Sequence, residues 1–296
     1  MGIMDLKNYI IGNCKKVDQA LDKLLPKATT KPTTIHKAMR YSIFAGGKRL
    51  RPVLAIAAAE ACGGTASEVM PLACAVECIH TYSLIHDDLP SMDNDDYRRG
   101  RLTNHKVFGE GVGVLAGDAL LTIAFEMSAK ANAWPRYNHQ AIILELANCA
   151  GSLFLVGGQV ADLEGEGKKL SHKDLVYIHE RKTSALLTTS IRFGAFSANA
   201  TPAQLKNLTT FGYNLGLAFQ VIDDILDCTK TSEQLGKTAG KDAAVGKATY
   251  PSVLGMKKAE AEATRLTKHA MDAIKAFGKK GARLAELADY LLKREN

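Results

Sequence analysis

Apolar residues recur every three or four positions through nearly the whole chain, and no other feature narrows the possible folds as much. Within 5–25, Leu6, Tyr9, Ile10, Val17, Leu21 and Leu24 fall on one helical stripe. The same spacing predicts helices near 34–45, 52–63, 66–89, 112–131, 137–158, 171–195, 202–228, 250–278 and 282–294. No convincing strand is expected. The eight prolines sit mostly at joints. Turn chemistry marks the breaks: Gly46-Gly47, Gly63-Gly64, Pro90 to Gly100, Gly109 to Gly113, Gly165 to Gly167 and Gly236 to Gly246. None of these breaks has the length or composition of an interdomain linker. The expectation is therefore one all-α domain over 1–296, large enough for a sizeable core or an internal cavity.

Lys and Arg total 38 against 31 Asp and Glu, a net charge of +7. The cations are scattered rather than gathered in an arm, and aromatic residues make up only 6%. Nucleic acid is therefore a poor partner. The six cysteines, Cys14, Cys62, Cys74, Cys78, Cys149 and Cys228, lie in apolar or mixed segments without a Cys-x-x-Cys pair, which reads as reduced core thiols in a cytoplasmic setting. The first residues carry no basic-then-apolar leader pattern. No run reaches the roughly 18 uninterrupted apolar residues of a membrane span, because Glu145 and Asn148 interrupt the strongest candidate. Gly109 to Gly113 does not fit a dinucleotide fingerprint, and Gly236-Lys237-Thr238 lacks the strand and earlier glycine of a P-loop.

Two apolar helices end alike. Ser-Leu-Ile-His-Asp87-Asp88-Leu continues through Pro90 to Asp93, Asp95 and Asp96, while Gln220-Val-Ile-Asp223-Asp224-Ile-Leu-Asp227 closes the other. Asp223 and Asp227 share a helical face, whereas Pro90 makes Asp93 return from a turn. Carboxylates 4 Å apart repel by roughly 1 kcal/mol in water and about 4 kcal/mol at an effective dielectric of 20. A hard divalent cation such as Mg²⁺ offsets that repulsion while keeping waters and phosphate oxygens in its shell. One such cluster could be a solvated helix end, but two on apolar helices point to metal and diphosphate.

Basic groups alternate with these clusters. Gly46-Gly47-Lys48-Arg49-Leu50-Arg51-Pro52 places cations at a loop-to-helix junction. Arg98-Arg99-Gly100 follows the first cluster, and Lys182-Thr183, Lys237, Lys241 and Lys247 add donors suited to phosphate oxygens. His80 is a candidate phosphate donor, and His86 is by default a packed or surface histidine.

Taken in order, the Gly-Gly-Lys-Arg-Leu-Arg-Pro box, the run from Glu77 to Pro90, Arg-Arg-Gly, Gly-Gln-x-x-Asp at 158–162 and Phe-Gln-x-x-Asp-Asp-x-x-Asp at 219–227 resemble the trans-prenyl diphosphate synthases, and bacterial farnesyl diphosphate synthases in particular. The resemblance implies an all-α isoprenoid synthase bundle around a deep cavity, a homodimer, and three Mg²⁺ ions held by Asp87, Asp88, Asp93, Asp223, Asp224 and Asp227. It assigns isopentenyl diphosphate to Lys48, Arg51, His80 and Arg99, and the allylic diphosphate to Arg98, Lys182, Lys237 and Lys247. Thr183 and Gln220 would face an allylic cation, with Gln159 and Asp162 in support. By the same resemblance Tyr82, seconded by Ser83, limits the product near farnesyl diphosphate, and a geranylgeranyl product is the alternative. A terpene cyclase would need only one diphosphate site, and a non-catalytic synthase subunit would be free to lose aspartates that are all present here.

Overall fold

The computed structural model describes residues 3–229 and 248–292, and it is all-α as expected. In chain order the helices are α1 (Ile3–Leu24), α2 (Thr33–Ile43), α3 (Leu50–Ala61), α4 (Ala66–Asp87), α5 (Asn104–Phe108), α6 (Glu110–Ala129), α7 (His139–Ala150), α8 (Leu155–Gly165), α9 (His172–His179), α10 (Ala185–Ser197) and α11 (Pro202–Thr229). A π-helical turn, Glu180–Ser184, joins α9 to α10, and further helices cover Tyr250–Leu254, Met256–Ile274 and Ala282–Leu292.

Local chemistry sets several of these boundaries. Thr65 and Glu68 form a capping box at the start of α4, as Ser171 and Asp174 do for α9, so orphan backbone N–H groups are satisfied. Small residues let α3 and α10 approach closely: a Cβ added at Gly194 would lie 2.3 Å from the Ala55 carbonyl oxygen. α4 is buried along most of its length, including Ile79, Tyr82 and Ile85 near its C-terminal end. It therefore carries its terminal aspartates out of a dry core.

Four expectations need correction. The region 137–158 is two helices, because the chain kinks over Gly151 to Phe154, where Phe154 leaves helical geometry (φ −127°, ψ −102°). The segment 171–195 contains the π turn. A two-residue hairpin, β1 (Tyr97–Arg98) with β2 (Arg101–Leu102), turns through Arg99 and Gly100, both at positive φ, the geometry of a tight hairpin turn. Finally, α6 and the stretch His139–Gly165 are each long and apolar enough to cross a membrane by length and mean hydropathy, although the latter is broken into α7 and α8. Their exposed faces carry Val114, Leu115, Leu144, Val156, Val160 and Leu163.

Candidate active site

A cavity of about 370 Å³ lies between the C-terminal half of α4, α8 and the π turn. The sequence-predicted residues it gathers are Arg51, His80, Tyr82, Ser83, Asp87, Gln159, Lys182 and Thr183. Leu155, Val156, Val160 and Leu163 of α8 make its apolar wall. A larger cavity, about 440 Å³, lies over α10 between α7 and α11, but it holds none of those residues and its Arg192 is taken up by a bidentate pair with Glu145 (2.7 and 2.9 Å).

One end of the site is cationic. The Arg51 Nε is buried without a hydrogen-bond partner, and burial pushes the guanidinium below its ordinary pKa. His80 is held well below the usual histidine range by burial first and then by Arg51, Arg99, Arg98 and Arg49, so it is neutral in the free protein. Buried cationic groups without an anion are costly, which makes this end a receptor for one. Lys48 is not part of it: the side chain is exposed and lines a separate pocket beside α1 and Ala282–Leu292. The intervening Arg49 is a strut that the sequence reading gave no role. It is 3% exposed, in left-handed conformation, and binds Glu77 (2.9 Å), Asp18 (2.8 Å) and the Ile43 carbonyl. The one available signal was Glu77, an acid set in an otherwise apolar helix.

The first acidic cluster caps α4. Beyond Asp88 the chain turns back, and the Asp93 amide donates to the Asp87 carbonyl oxygen (2.8 Å), so Asp93 returns beside Asp87 as the proline predicted. Burial pushes the Asp87 carboxyl up to about 6; Lys182 opposes the shift, and Asp93 and Asp88 add to it. Asp88 faces the other way. It is clamped by Arg98, with Nη2 at 2.6 Å and Nε at 2.8 Å, in a small separate cavity. Arg99 reaches back to donate to the Gly46 carbonyl, and a side chain at Gly47 would collide with its guanidinium. Arg98 and Arg99 therefore tie the first acidic turn to the Gly-Gly loop instead of lining the main cavity. His86, beyond its default reading, lines the cavity: its Nε2 lies 2.9 Å from the Val114 carbonyl oxygen, in a notch that only glycine at 117 leaves open.

The π turn joins this wall to the second. Gly158 lets α8 touch the turn backbone to backbone, since a Cβ there would lie 2.4 Å from the Lys182 amide nitrogen. Four residues on, Asp162 pairs with Lys182 at 2.6 Å. Thr183 donates to Gln220 Oε1 (3.2 Å), and Gln220 Nε2 donates to Asp224 Oδ1 (3.2 Å). Asp223, Asp224 and Asp227 thus stand behind Gln220 on α11 rather than on the cavity lining, with Asp224 and Asp227 buried. The Asp224 Oδ2 also accepts from the Tyr250 amide at 2.9 Å. Lys237 and Lys247 lie outside the described residues.

Among the described residues, no three Asp, Glu, His or Cys side chains converge tightly enough to hold a metal ion alone. The donor set still suits Mg²⁺, which takes one or two carboxylates and completes its shell with water and phosphate oxygens. Asp87, with its raised pKa beside Asp93, is where such an ion would relieve repulsion. None of the six cysteines is in a disulfide, but only Cys74, Cys78 and Cys149 belong to the core, and Cys228 is exposed.

Residues 32–287 match the family model for polyprenyl synthetase. The chain is 50% identical over 99% of its length to a chloroplastic geranylgeranyl pyrophosphate synthase of Catharanthus roseus, 82% of which is covered. It is 49% identical over 99% of its length to the large subunit 1 of a heterodimeric geranylgeranyl pyrophosphate synthase of Arabidopsis thaliana, with 80% of that chain covered. Among solved structures, an apo FPP/GFPP synthase from Zymomonas mobilis superposes with a TM-score of 0.87 at 33% identity, covering 98% of this chain and 99% of that one. The geranylgeranyl names leave a special nearness to bacterial farnesyl enzymes unconfirmed. With the family model matching most of its length, the chain belongs to the polyprenyl synthetase family, the trans-prenyl diphosphate synthases.

Proposed function

We propose that the chain joins isopentenyl diphosphate to allylic diphosphates, with Mg²⁺, and extends the product to geranylgeranyl diphosphate. The observation that carries this reading is one cavity that brings together the buried Arg51, whose Nε has no partner, the neutral His80, Asp87 and Lys182, and an apolar wall from α8.

In this reading Arg51 receives the isopentenyl diphosphate, His80 donates a hydrogen bond to it, and Lys182 meets the allylic diphosphate. Asp87, Asp93 and Asp223 would hold Mg²⁺, up to three ions with the substrate, and the metal supplies charge stabilisation for the leaving diphosphate. The allylic C–O bond breaks with its electron pair on the departing oxygen. Thr183 Oγ1 and Gln220 Oε1, linked at 3.2 Å, present their dipoles to the cation without capturing it. The isopentenyl double bond then forms the new C–C bond, and the resulting tertiary cation gives its proton to the diphosphate. The α8 wall keeps water out while the cation exists.

The names of the relatives favour a C20 product. A second reading, farnesyl diphosphate, rests on Tyr82, which lines the cavity with its hydroxyl buried and unpartnered. Incubation with isopentenyl diphosphate and dimethylallyl, geranyl or farnesyl diphosphate, with and without chelator, decides. C20 product from every primer is expected, accumulation at C15 would support the farnesyl reading, and no product from any primer would overturn the proposal.

The partner and setting follow by the same logic. The exposed apolar residues Val114 and Leu115 of α6 and Leu144 of α7 suit a homodimer face, testable by sizing of the purified chain. The Arabidopsis relative's heterodimeric name makes a mixed dimer the competing outcome. Six cysteines without a disulfide fit a reducing, cytoplasm-like compartment. The chain 1–296 is taken as a single synthase domain.

A further inference from the structure

His179 and Tyr250 have no part in the chemistry above, yet they occupy the seam between the π turn and the second acidic triplet. His179 is the last residue of α9, immediately before the turn that carries Lys182 and Thr183. Its ring stacks on Tyr250 with centroids 5.5 Å apart and planes 18° from parallel. Tyr250 is fully buried, and a second ring, His172, meets it edge-on at 5.9 Å. The Tyr250 backbone amide donates to Asp224 Oδ2 (2.9 Å), and His179 Nε2 lies 3.7 Å from the same oxygen, just beyond hydrogen-bond length. That ring nitrogen is buried and has no partner. The chain returns to α11 at Tyr250, so the stack also fixes where residues 248–250 dock.

We propose that His179 and Tyr250 are positioning residues: an aromatic stack that holds Asp224 and the π turn in one register, so that the allylic-diphosphate side of the site stays aligned with Asp87. The stack touches no substrate. It acts through the Tyr250 amide on Asp224 and through the backbone joining His179 to Lys182. Arg51 and His80, on α3 and α4, lie outside its reach, so the two diphosphate sites respond differently when it is broken. The inference rests on the prenyltransferase reading.

The test compares His179→Ala, His179→Phe and Tyr250→Phe in the full-length chain. Removing the ring with His179→Ala is expected to raise KM for the allylic diphosphate about ten- to a hundredfold, the range for outer partners of metal-binding carboxylates, with KM for isopentenyl diphosphate within about twofold. His179→Phe, which keeps a stacking ring, restores most of the loss, and Tyr250→Phe behaves as the parent because that hydroxyl has no partner. A readout independent of turnover is the rise in melting temperature on adding inorganic pyrophosphate with Mg²⁺, which should shrink in His179→Ala and return in His179→Phe. Equal KM changes for both substrates, or no rescue by Phe, would overturn the stack as a positioning device. Should His179→Ala fail to fold, Tyr250→Leu replaces it with the same expectations. A parent protein that makes no prenyl product sinks the reading of function, while the pyrophosphate melting series still judges the stack.

Discussion

The first and second acidic motifs repeat nearly the same residues, Ile-x-Asp-Asp and Ile-Asp-Asp, and are held by opposite means. Asp87 and Asp88 sit where α4 stops, on a turn pinned by Arg98 and bordered by the unpaired Arg51. Asp223, Asp224 and Asp227 lie in the last two turns of α11, and Asp224 accepts hydrogen bonds from the Gln220 amide side chain and from the Tyr250 backbone N–H. The first motif is thus electrostatically tense: burial and neighbouring acids raise Asp87, and Lys182 and Arg98 oppose them. At the second, Asp224 accepts from Gln220 and from the Tyr250 amide beside a buried His179, whose pKa burial lowers to about 4. Repulsion at the first is left for ligands to relieve.

The largest effect expected from this contrast is on catalysis. Asp87→Ala and Asp223→Ala should each lower turnover by at least about a hundredfold with helicity intact by circular dichroism, and near-normal rates in either would break the symmetry of roles assumed for the two motifs. Tyr82→Ala comes next, acting on product rather than rate. Chromatography of the product should show chains lengthened by one or more five-carbon units, and an unchanged product would reduce Tyr82 to packing.

A smaller effect separates the motifs by sign. Between pH 4 and 6 the folded chain holds a proton on Asp87 that the unfolded chain releases, because the folded pKa is about 6 against 3.8. Its contribution to stability is full below pH 3.8 and is lost as pH rises through 6. His179, lowered to about 4 from 6.5, does the reverse: its contribution is full above pH 6.5 and is lost as pH falls through 4. His80, also lowered by its burial, acts in the same sense as His179. From pH 4 to 6.5 the stability of Asp87→Asn should therefore rise relative to the parent's by about 2 kcal/mol, and parallel profiles would mean that Asp87 is not held protonated by its surroundings. The smallest effect expected is from Gly117→Ala, whose Cβ would lie 2.1 Å from His86 Nε2. Displacing that ring beside Asp87 should cost about 1 kcal/mol of thermal stability and leave pyrophosphate binding at the second motif unaltered.

Much of this arrangement was legible in the chain. The apolar period placed the helices, and Pro90 foretold the return of Asp93. Lys48 stands three residues before Arg51 in one basic box, which does not say whether the two line one cavity. Arg49, however, takes a left-handed conformation just before α3 begins, which leaves Lys48 ahead of the helix and turned away. The substrate roles expected of Arg98 and Arg99 come from the resemblance, whereas their contacts to Asp88 and Gly46 were not legible because a hairpin two residues long leaves no periodic trace. The seam at His179 was invisible for another reason: its partners lie 45 and 71 residues away along the chain, and stacking has no sequence period.

The π turn has a consequence for how such a chain can decay. A wider turn of this kind accommodates one extra residue in an otherwise regular helix, so loss of a single codon within 180–184 would let α9 and α10 fuse into ordinary α-helix. The bundle would lose little. The residues of the turn itself would be re-aimed while α9 and α10 keep their buried faces, and Lys182 would no longer meet both Asp162 and the mouth of the cavity. Foldedness and chemistry are separable at that point, and an intact, abundant, inert protein is one deletion away.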